Sequence, residues 1–246
     1  MIIGSAYLFQ KDADSTNSYA ARLLQKGYIS EGTIIHTNYQ SAGRGQKQNT
    51  WESEDGKNLL FSIVLYPEFV KPEDQFIISM SVSLGVCDFV MSFIPLCRIK
   101  WPNDIYAGND KIAGILIENT ISGNTLNSTV AGIGININQE KFPRDLLNPV
   151  SLKMLTGKEH NLDLCLKQIA FYLDKRYKQL LSGNREEIRN EYRSYLYRLG
   201  EWYNYKTERG LLYGRIISVS DTGYLMVEDS RNRIHEFRFN DIDFIL

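Results

Sequence analysis

Little in this chain is in excess, and each shortage removes a class of protein. Cysteine is scarce: Cys87, Cys97 and Cys165 are an odd number without metal-like spacing, which argues against a disulfide scaffold or a thiolate metal site. Each sits among apolar residues and reads as a buried free thiol, in keeping with a reducing cytoplasm. His36, His160 and His235 are too scattered for a ligand cluster. Excess positive charge is missing, with 28 Lys+Arg against 29 Asp+Glu, so bulk attraction to nucleic acid phosphates is disfavoured. The expectation is that no apolar run approaches the roughly 18–20 residues that span a bilayer. The apolar start MIIGSAYLFQ has no basic flank, and Lys11 and Asp12 arrive before a signal core can form. Internal repeats, heptads and low-complexity tracts are also lacking.

What is present is an ordinary globular balance, 43% hydrophobic and 23% charged. The 246 residues fit one large domain, or a main domain with a small one. Asp14, Ser15, Thr16 and Asn17 cluster as N-cap residues before a helix whose Tyr19, Ala20, Leu23 and Leu24 share a face, with Gly27 as the stop. The run GTIIHTNYQ reads as a strand and NLLFSIVLYP as a buried strand closed by Pro67. The polar, Gly-rich segment between them is long for a simple connection, which marks it as functional or mobile. Pro72 opens a helix carrying Phe76, Ile77, Met80, Leu84, Cys87 and Met91 at helical spacing. Three stretches of short strands follow: CRIKWPNDIYAG, KIAGILIENTISG and NSTVAGIGININ. Leu162, Leu166, Ile169, Leu173, Tyr177 and Leu180 mark a second long helix, and Glu186–Leu199 a further one. After Gly200 the pattern turns to four or five short alternating strands, a unit of about 45 residues with the size of an SH3-like barrel. The expected organisation is an α+β domain over residues 1–199, a mixed sheet with helices mainly on one face, and a small all-β unit over 200–246.

Four segments carry candidate chemistry. Gly43-Arg44-Gly45-Gln46 lets backbone N–H groups approach an anion and adds a guanidinium; it serves equally as a flexible surface loop. It is neither a dinucleotide fingerprint nor a Walker loop. Lys100-Trp101-Pro102-Asn103-Asp104 forms a rigid turn that presents two polar side chains, or merely packs a Trp. Lys111 opens an apolar strand with Gly114 three residues on, so its ammonium meets an anionic substrate at the sheet rim or simply guards a strand edge. In Gly132–Asn138, alternation places Gly132, Gly134, Asn136 and Asn138 on one face and three isoleucines on the other. That face suits a flat ligand, or the glycines serve packing. Trp202, Tyr203, Tyr205, Tyr213 and Tyr224 admit a binding role for the β unit, against plain packing.

Taken in order, these segments resemble the biotin protein ligases. The resemblance rests on Ser15-Thr16-Asn17, Gln40, Gly43-Arg44-Gly45, Trp51, the KWPND block, the strand from Lys111 to Glu118 and GxGxNxN from Gly132. It covers about residues 10–140 by motif, and KWPND followed by KIAGILIE is its most specific part. It implies a class II synthetase-like catalytic domain that activates biotin with ATP to biotinyl-5′-AMP, assisted by Mg2+, and passes biotin to a lysine of a biotin carboxyl carrier domain. The alternative within the broader fold is a lipoate or octanoyl ligase or transferase.

By resemblance, Ser15, Thr16, Asn17, Gln40, Arg44, Gly45, Gln46, Lys111 and Gly114 bind biotin. Gly43, Trp51, Asn103 and Asn136 belong to ATP and the adenylate. Lys111, Arg44 and Asp104 carry the reaction, with Mg2+ held by phosphates near Asp104. Many family loops read GRGRxGR; here Gln46 and Gln48 replace an Arg and a Gly, so the loop's positive charge rests on Arg44 and Lys47. The expectation for residues before 10 is that they leave no room for the DNA-binding segment of some members, hence no nucleic acid partner. A monomer and a homodimer stay equally open.

Overall fold

The computed structural model describes residues 1–46, 49–144 and 146–245. Its first sheet combines β1 (Tyr7–Phe9), β2 (Ile34–Thr37), β3 (Leu59–Leu65), β4 (Arg98–Lys100), β5 (Asp104–Ala107), β6 (Asp110–Ser122) and β7 (Thr125–Ile135). The spatial order is β1-β2-β3-β7-β6-β5-β4. Among the described residues, β1–β2 is the one parallel strand pair of this sheet, so the sheet is mixed, as expected. Helices α1 (Thr16–Lys26), α2 (Phe76–Met91), α3 (Leu152–Thr156), α4 (Leu162–Leu181) and α5 (Arg185–Ser194) surround it. A second, antiparallel sheet holds β8 (Trp202–Thr207), β9 (Gly210–Val219), β10 (Leu225–Asp229), β11 (Ile234–Phe237) and β12 (Ile242–Phe244) in the order β11-β10-β9-β8-β12.

Period-two alternation divides the first sheet into two unlike faces. Ile34, Phe61, Ile63, Ile133 and Ile135 belong to the main core with residues of α2, α4 and α5. Ile35, Val64 and Val130 point the other way, onto Ala20 of α1, with Tyr19, Leu23 and Leu24 beside it. The helix stripe read from the sequence therefore has its partner. Beyond α1 that same face carries Gly132 and Gly134 of β7, with Gly114 of β6 directly opposite Gly134. One short helix covers one end of the face and leaves the bare-backbone end for the site.

Helix α2 departs from the amphipathic expectation. Nearly every residue from Phe76 to Val90 is buried, because α4 and α5 pack against it while the sheet lies beneath. A helix hydrophobic all round belongs in a core. Pro72–Met91 is also long and apolar enough, by length and composition, to cross a membrane, which corrects the expectation that no such run exists. The interspersed Ser79, Ser81 and Ser83 mask the run; Ser81 and Ser83 are themselves buried in the fold.

Other differences are local. The strands expected to be short include a long hairpin, β6–β7. Helix α5 ends at Ser194, not Leu199, because the chain then bridges the two sheets: Ile99 N–H donates to Tyr195 O at 2.8 Å and Gly200 N–H to Ile216 O at 2.8 Å. Strand β1 and the five-residue α3 were not foreseen. Cys87, Cys97 and Cys165 are buried free thiols, as expected. The buried apolar cluster runs on into the second sheet through Tyr205, Ile216, Val219, Leu225, Val227 and Ile242.

Candidate active site

The first wall of the site is the N-terminus of α1. Ser15 is its N-cap, and its hydroxyl accepts from Ser18 N, meeting one of the donors a helix start leaves unpaired. Gln40 is brought alongside by a bridge to Ala13, and its Oε1 accepts from Thr16 N at 2.8 Å. Asn17 donates through Nδ2 to Glu118 Oε2 at 2.8 Å and to Leu116 O at 3.2 Å. Its Oδ1 accepts from Ser62 Oγ at 2.6 Å. Thr16, Asn17 and Ser62 are all buried, so a small polar network sits on the cavity face of an otherwise apolar sheet.

The loop after Gln40 folds back on itself. Trp51 N–H donates to Gly43 O at 3.0 Å, and Arg44 bridges Thr50. This hairpin lays Trp51 flat on β6 and β7. A Cβ at Gly114 would stand 2.8 Å from Trp51 Cζ3, and one at Gly134 would meet the same ring. At Gly132 a Cβ would run into the Asn17 carboxamide. The three glycines are thus bare because an indole and an amide rest directly on the backbone. Among the described residues the buried Trp51 Nε1 has no hydrogen-bond partner. Arg44 reaches Glu118, Nη2 to Oε2, at 2.5 Å. Lys47 and Gln48, on which part of the loop's expected chemistry rested, lie outside the described residues.

The third wall is the β4–β5 turn. Trp101 packs into the core, and its Nε1 donates to Gly223 O at 2.9 Å. The Trp101–Pro102 peptide is cis. Asn103 Nδ2 donates to Ile115 O at 2.7 Å and ties the turn to β6. Asp104 then points at Lys111, Oδ1 to Nζ, 2.7 Å apart, with the ammonium 5.6 Å from the Trp51 ring centre. Lys100 sits over the rings of Tyr106 and Phe244 at 5.4 and 5.2 Å. Burial holds the Lys100 ammonium below the ordinary lysine range, against the opposing pull of Asp104.

These walls enclose a cavity of about 240 Å3. Ser15, Thr16, Asn17, Gln40, Arg44, Gly45, Gln46, Trp51, Asn103, Asp104, Lys111 and Gly114 all line it, drawn from positions almost one hundred residues apart. Hydroxyls and amides occupy one end, and Lys100 and Lys111 the other.

Residues 9–136 match the biotin/lipoate A/B protein ligase family. The chain belongs to that family. It is 28% identical over 225 residues to the bifunctional ligase/repressor BirA of Bacillus spizizenii, covering 90% of this chain and 69% of that one. It is 27% identical over 231 residues to the biotin–[acetyl-CoA-carboxylase] ligase of Paracoccus denitrificans, covering 89% and 93%. Among solved structures, the biotin protein ligase from Aquifex aeolicus in complex with biotin and ATP superposes with a TM-score of 0.79 at 25% identity, over 97% of this chain and 98% of that one.

Within this member of the biotin/lipoate ligase family, two expected site residues stand apart from the cavity. Gly43 lies behind it in the loop hairpin. Asn136 does not share the face of Gly132 and Gly134, because β7 ends at Ile135. Its Nδ2 donates to Val150 O at 3.1 Å and its carbonyl accepts from Leu152 N, so it anchors the segment leading into α3. Asn138 likewise exchanges hydrogen bonds with His160. Conversely, Ser62 carries no expected role, and neither do Lys100 and Glu118, although they stand within the KWPND block and the Lys111–Glu118 strand. Ser62 had a signal, a lone polar residue inside the apolar run LLFSIVL. Phe239, in the turn between β11 and β12, and Ile242, Asp243 and Phe244 of β12 also line the cavity, and no local motif marks them.

Proposed function

We propose that this protein is an ATP-dependent biotin protein ligase, which joins biotin and ATP to biotinyl-5′-AMP and then transfers biotin to a lysine of a carrier domain. The carrying observation is a single cavity that joins an amide- and hydroxyl-lined end to a cationic end across a bare-glycine floor. A ureido ring needs both donors and acceptors, which Ser15, Thr16, Asn17 and Gln40 supply. The biotin carboxylate attacks the α-phosphorus, and the bond to the β-phosphate oxygen breaks as pyrophosphate leaves. Lys111 offsets the repulsion between carboxylate and phosphate and stabilises charge developing at phosphorus. Lys100 adds a second positive charge for the phosphates. Trp51 leaves the floor to cover the nucleotide, and Arg44, Gly45 and Gln46 close the loop over the intermediate. In the second step the carrier amine attacks the carbonyl of the mixed anhydride, and AMP leaves. Asp104 takes the amine's proton.

Among the described residues there is no group of three or more metal-binding side chains. The two cavity carboxylates, Asp104 and Asp243, fit Mg2+ held largely by phosphates, the usual arrangement for this ion. Asp104 would be its protein ligand, and the ion would neutralise phosphate charge. Asn103 shapes the nucleotide end, with Asn136 acting through the segment that it anchors. We assign residues 200–246 to a distinct SH3-like unit that closes the site, and the reaction to the cytoplasm, with a biotin carboxyl carrier protein as the macromolecular partner.

The test is an adenylation assay. Incubation with ATP, Mg2+ and biotin releases pyrophosphate and labels a carrier domain, whereas lipoate in place of biotin does neither. Pyrophosphate release with lipoate alone would move the assignment to the other branch of the family.

A further inference from the structure

The polar network beside the glycine floor has a direction that follows from counting hydrogens. Asn17 Nδ2 faces two acceptors, Glu118 Oε2 at 2.8 Å and the Leu116 carbonyl at 3.2 Å. Neither Glu118 as a carboxylate nor a backbone carbonyl can donate, so the amide nitrogen must lie on that side. Asn17 Oδ1 therefore faces Ser62, and Ser62 Oγ, 2.6 Å away, must donate to it. A hydroxyl has one hydrogen. Ser62 Oγ also lies 2.7 Å from Thr16 Oγ1, and with its own hydrogen committed it can only accept there. The Thr16 hydroxyl then donates to Ser62 at 2.7 Å in preference to Gln40 Oε1 at 3.2 Å, an oxygen already held by Thr16 N–H. Thr16 Oγ1 is left with its lone pairs for a ligand. Thr16, Asn17 and Ser62 are all buried, Ser62 completely, so water cannot easily redistribute these hydrogens.

We propose that Ser62 is a specificity-determining positioning residue: with Asn17 held by Glu118 and the Leu116 carbonyl, the relay Asn17–Ser62–Thr16 fixes the inner end of the cavity as an acceptor, so that it selects a ligand presenting a ring N–H. This rests on the assignment of biotin as substrate. Ser62 does not line the cavity; it acts by deciding which way the Thr16 hydroxyl points. A dithiolane or any ring with only acceptors meets lone pairs there and leaves Thr16 unmatched.

The experiment uses the full-length protein and compares biotin with its two cyclic carbamates, in which one or the other ureido N–H is replaced by a ring oxygen. The replacement keeps the shape and reverses the polarity. In the wild-type protein one carbamate has a KM for pyrophosphate release roughly tenfold or more above that of biotin. In Ser62→Ala the Thr16 hydroxyl is released to donate, so the ratio for that carbamate falls at least threefold. In the same variant the KM for biotin rises about fivefold and the KM for ATP holds. Ser62→Cys, whose thiol is only a weak acceptor, narrows the ratio in the same sense and serves if Ser62→Ala does not fold. An unchanged ratio in folded variants, or equal use of both carbamates by the wild type, overturns the proposal. Failure of the wild type to release pyrophosphate with biotin instead overturns the functional assignment.

Discussion

Lys111 and Asp104 stand 2.7 Å apart at the cavity wall, so an incoming anion shares the ammonium with a resident carboxylate. Removing the ammonium leaves that carboxylate facing two further anions. Lys111→Ala is expected to slow pyrophosphate release by about 10²–10³-fold with the melting temperature nearly unchanged; normal turnover in this variant removes the residue from the reaction. Lys100 differs, because burial favours its neutral form. It loses its proton at a lower pH than an exposed lysine. Its help to phosphate binding is present when it is protonated and declines as pH rises through that depressed pKa. The KM for ATP should therefore begin to climb at a lower pH than the titration of an exposed lysine would set, while Lys100→Arg, which stays protonated, should flatten the climb. Identical profiles would detach Lys100 from the nucleotide.

At the scale of elements, the site depends on two close approaches. Trp51 lies on β6 and β7 only because Gly114 and Gly134 lack side chains. Gly134→Val should lift the indole from the floor, seen as a red shift of tryptophan emission, and raise the KM for ATP about tenfold because the new side chain fills the space that the indole vacates for the ligand. An unshifted spectrum would show that the ring does not rest there. The helical layer behind the sheet is held by a different device. Arg176 on α4 pairs with Asp88 of α2 and Glu191 of α5, with its side chain only 8% exposed. Truncating it leaves two carboxylates without their partner, one of them largely buried, so Arg176→Ala should cost roughly 3 kcal/mol in urea unfolding. The helices themselves were readable from their apolar periodicity. Their end points were less so: α5 stops at Ser194 because Tyr195 and Tyr197 join Ile99, a partner almost one hundred residues away.

Across the whole molecule, the second sheet belongs to the cavity it closes. Phe239, Ile242, Asp243 and Phe244 line it, Phe76 and Trp101 pack on Phe239, and Trp101 donates to Gly223. Truncation after Leu199 should lower the melting temperature and abolish pyrophosphate release, since it opens the cavity and exposes Trp101; full activity in the truncated chain would give the β unit an independent task.

Local rules sufficed for much of this protein. Ser15 caps α1 wherever that helix is placed, because the first turn of any helix has unpaired N–H groups. Alternation alone turns Gly132 and Gly134 to one side and Ile133 and Ile135 to the other. Motif order was enough to single out Lys111, Asp104 and Trp51. Three matters needed the folded chain: what lies on the bare glycines, which way the buried hydroxyls point, and which residues of the last strands reach the cavity. Each depends on atoms brought within hydrogen-bond or van der Waals distance from remote parts of the chain. Asn136 illustrates the limit. Its spacing from Gly134 continues the ligand face, yet β7 ends one residue before it, and the Val150 carbonyl, distant in any one-dimensional reading, claims its amide.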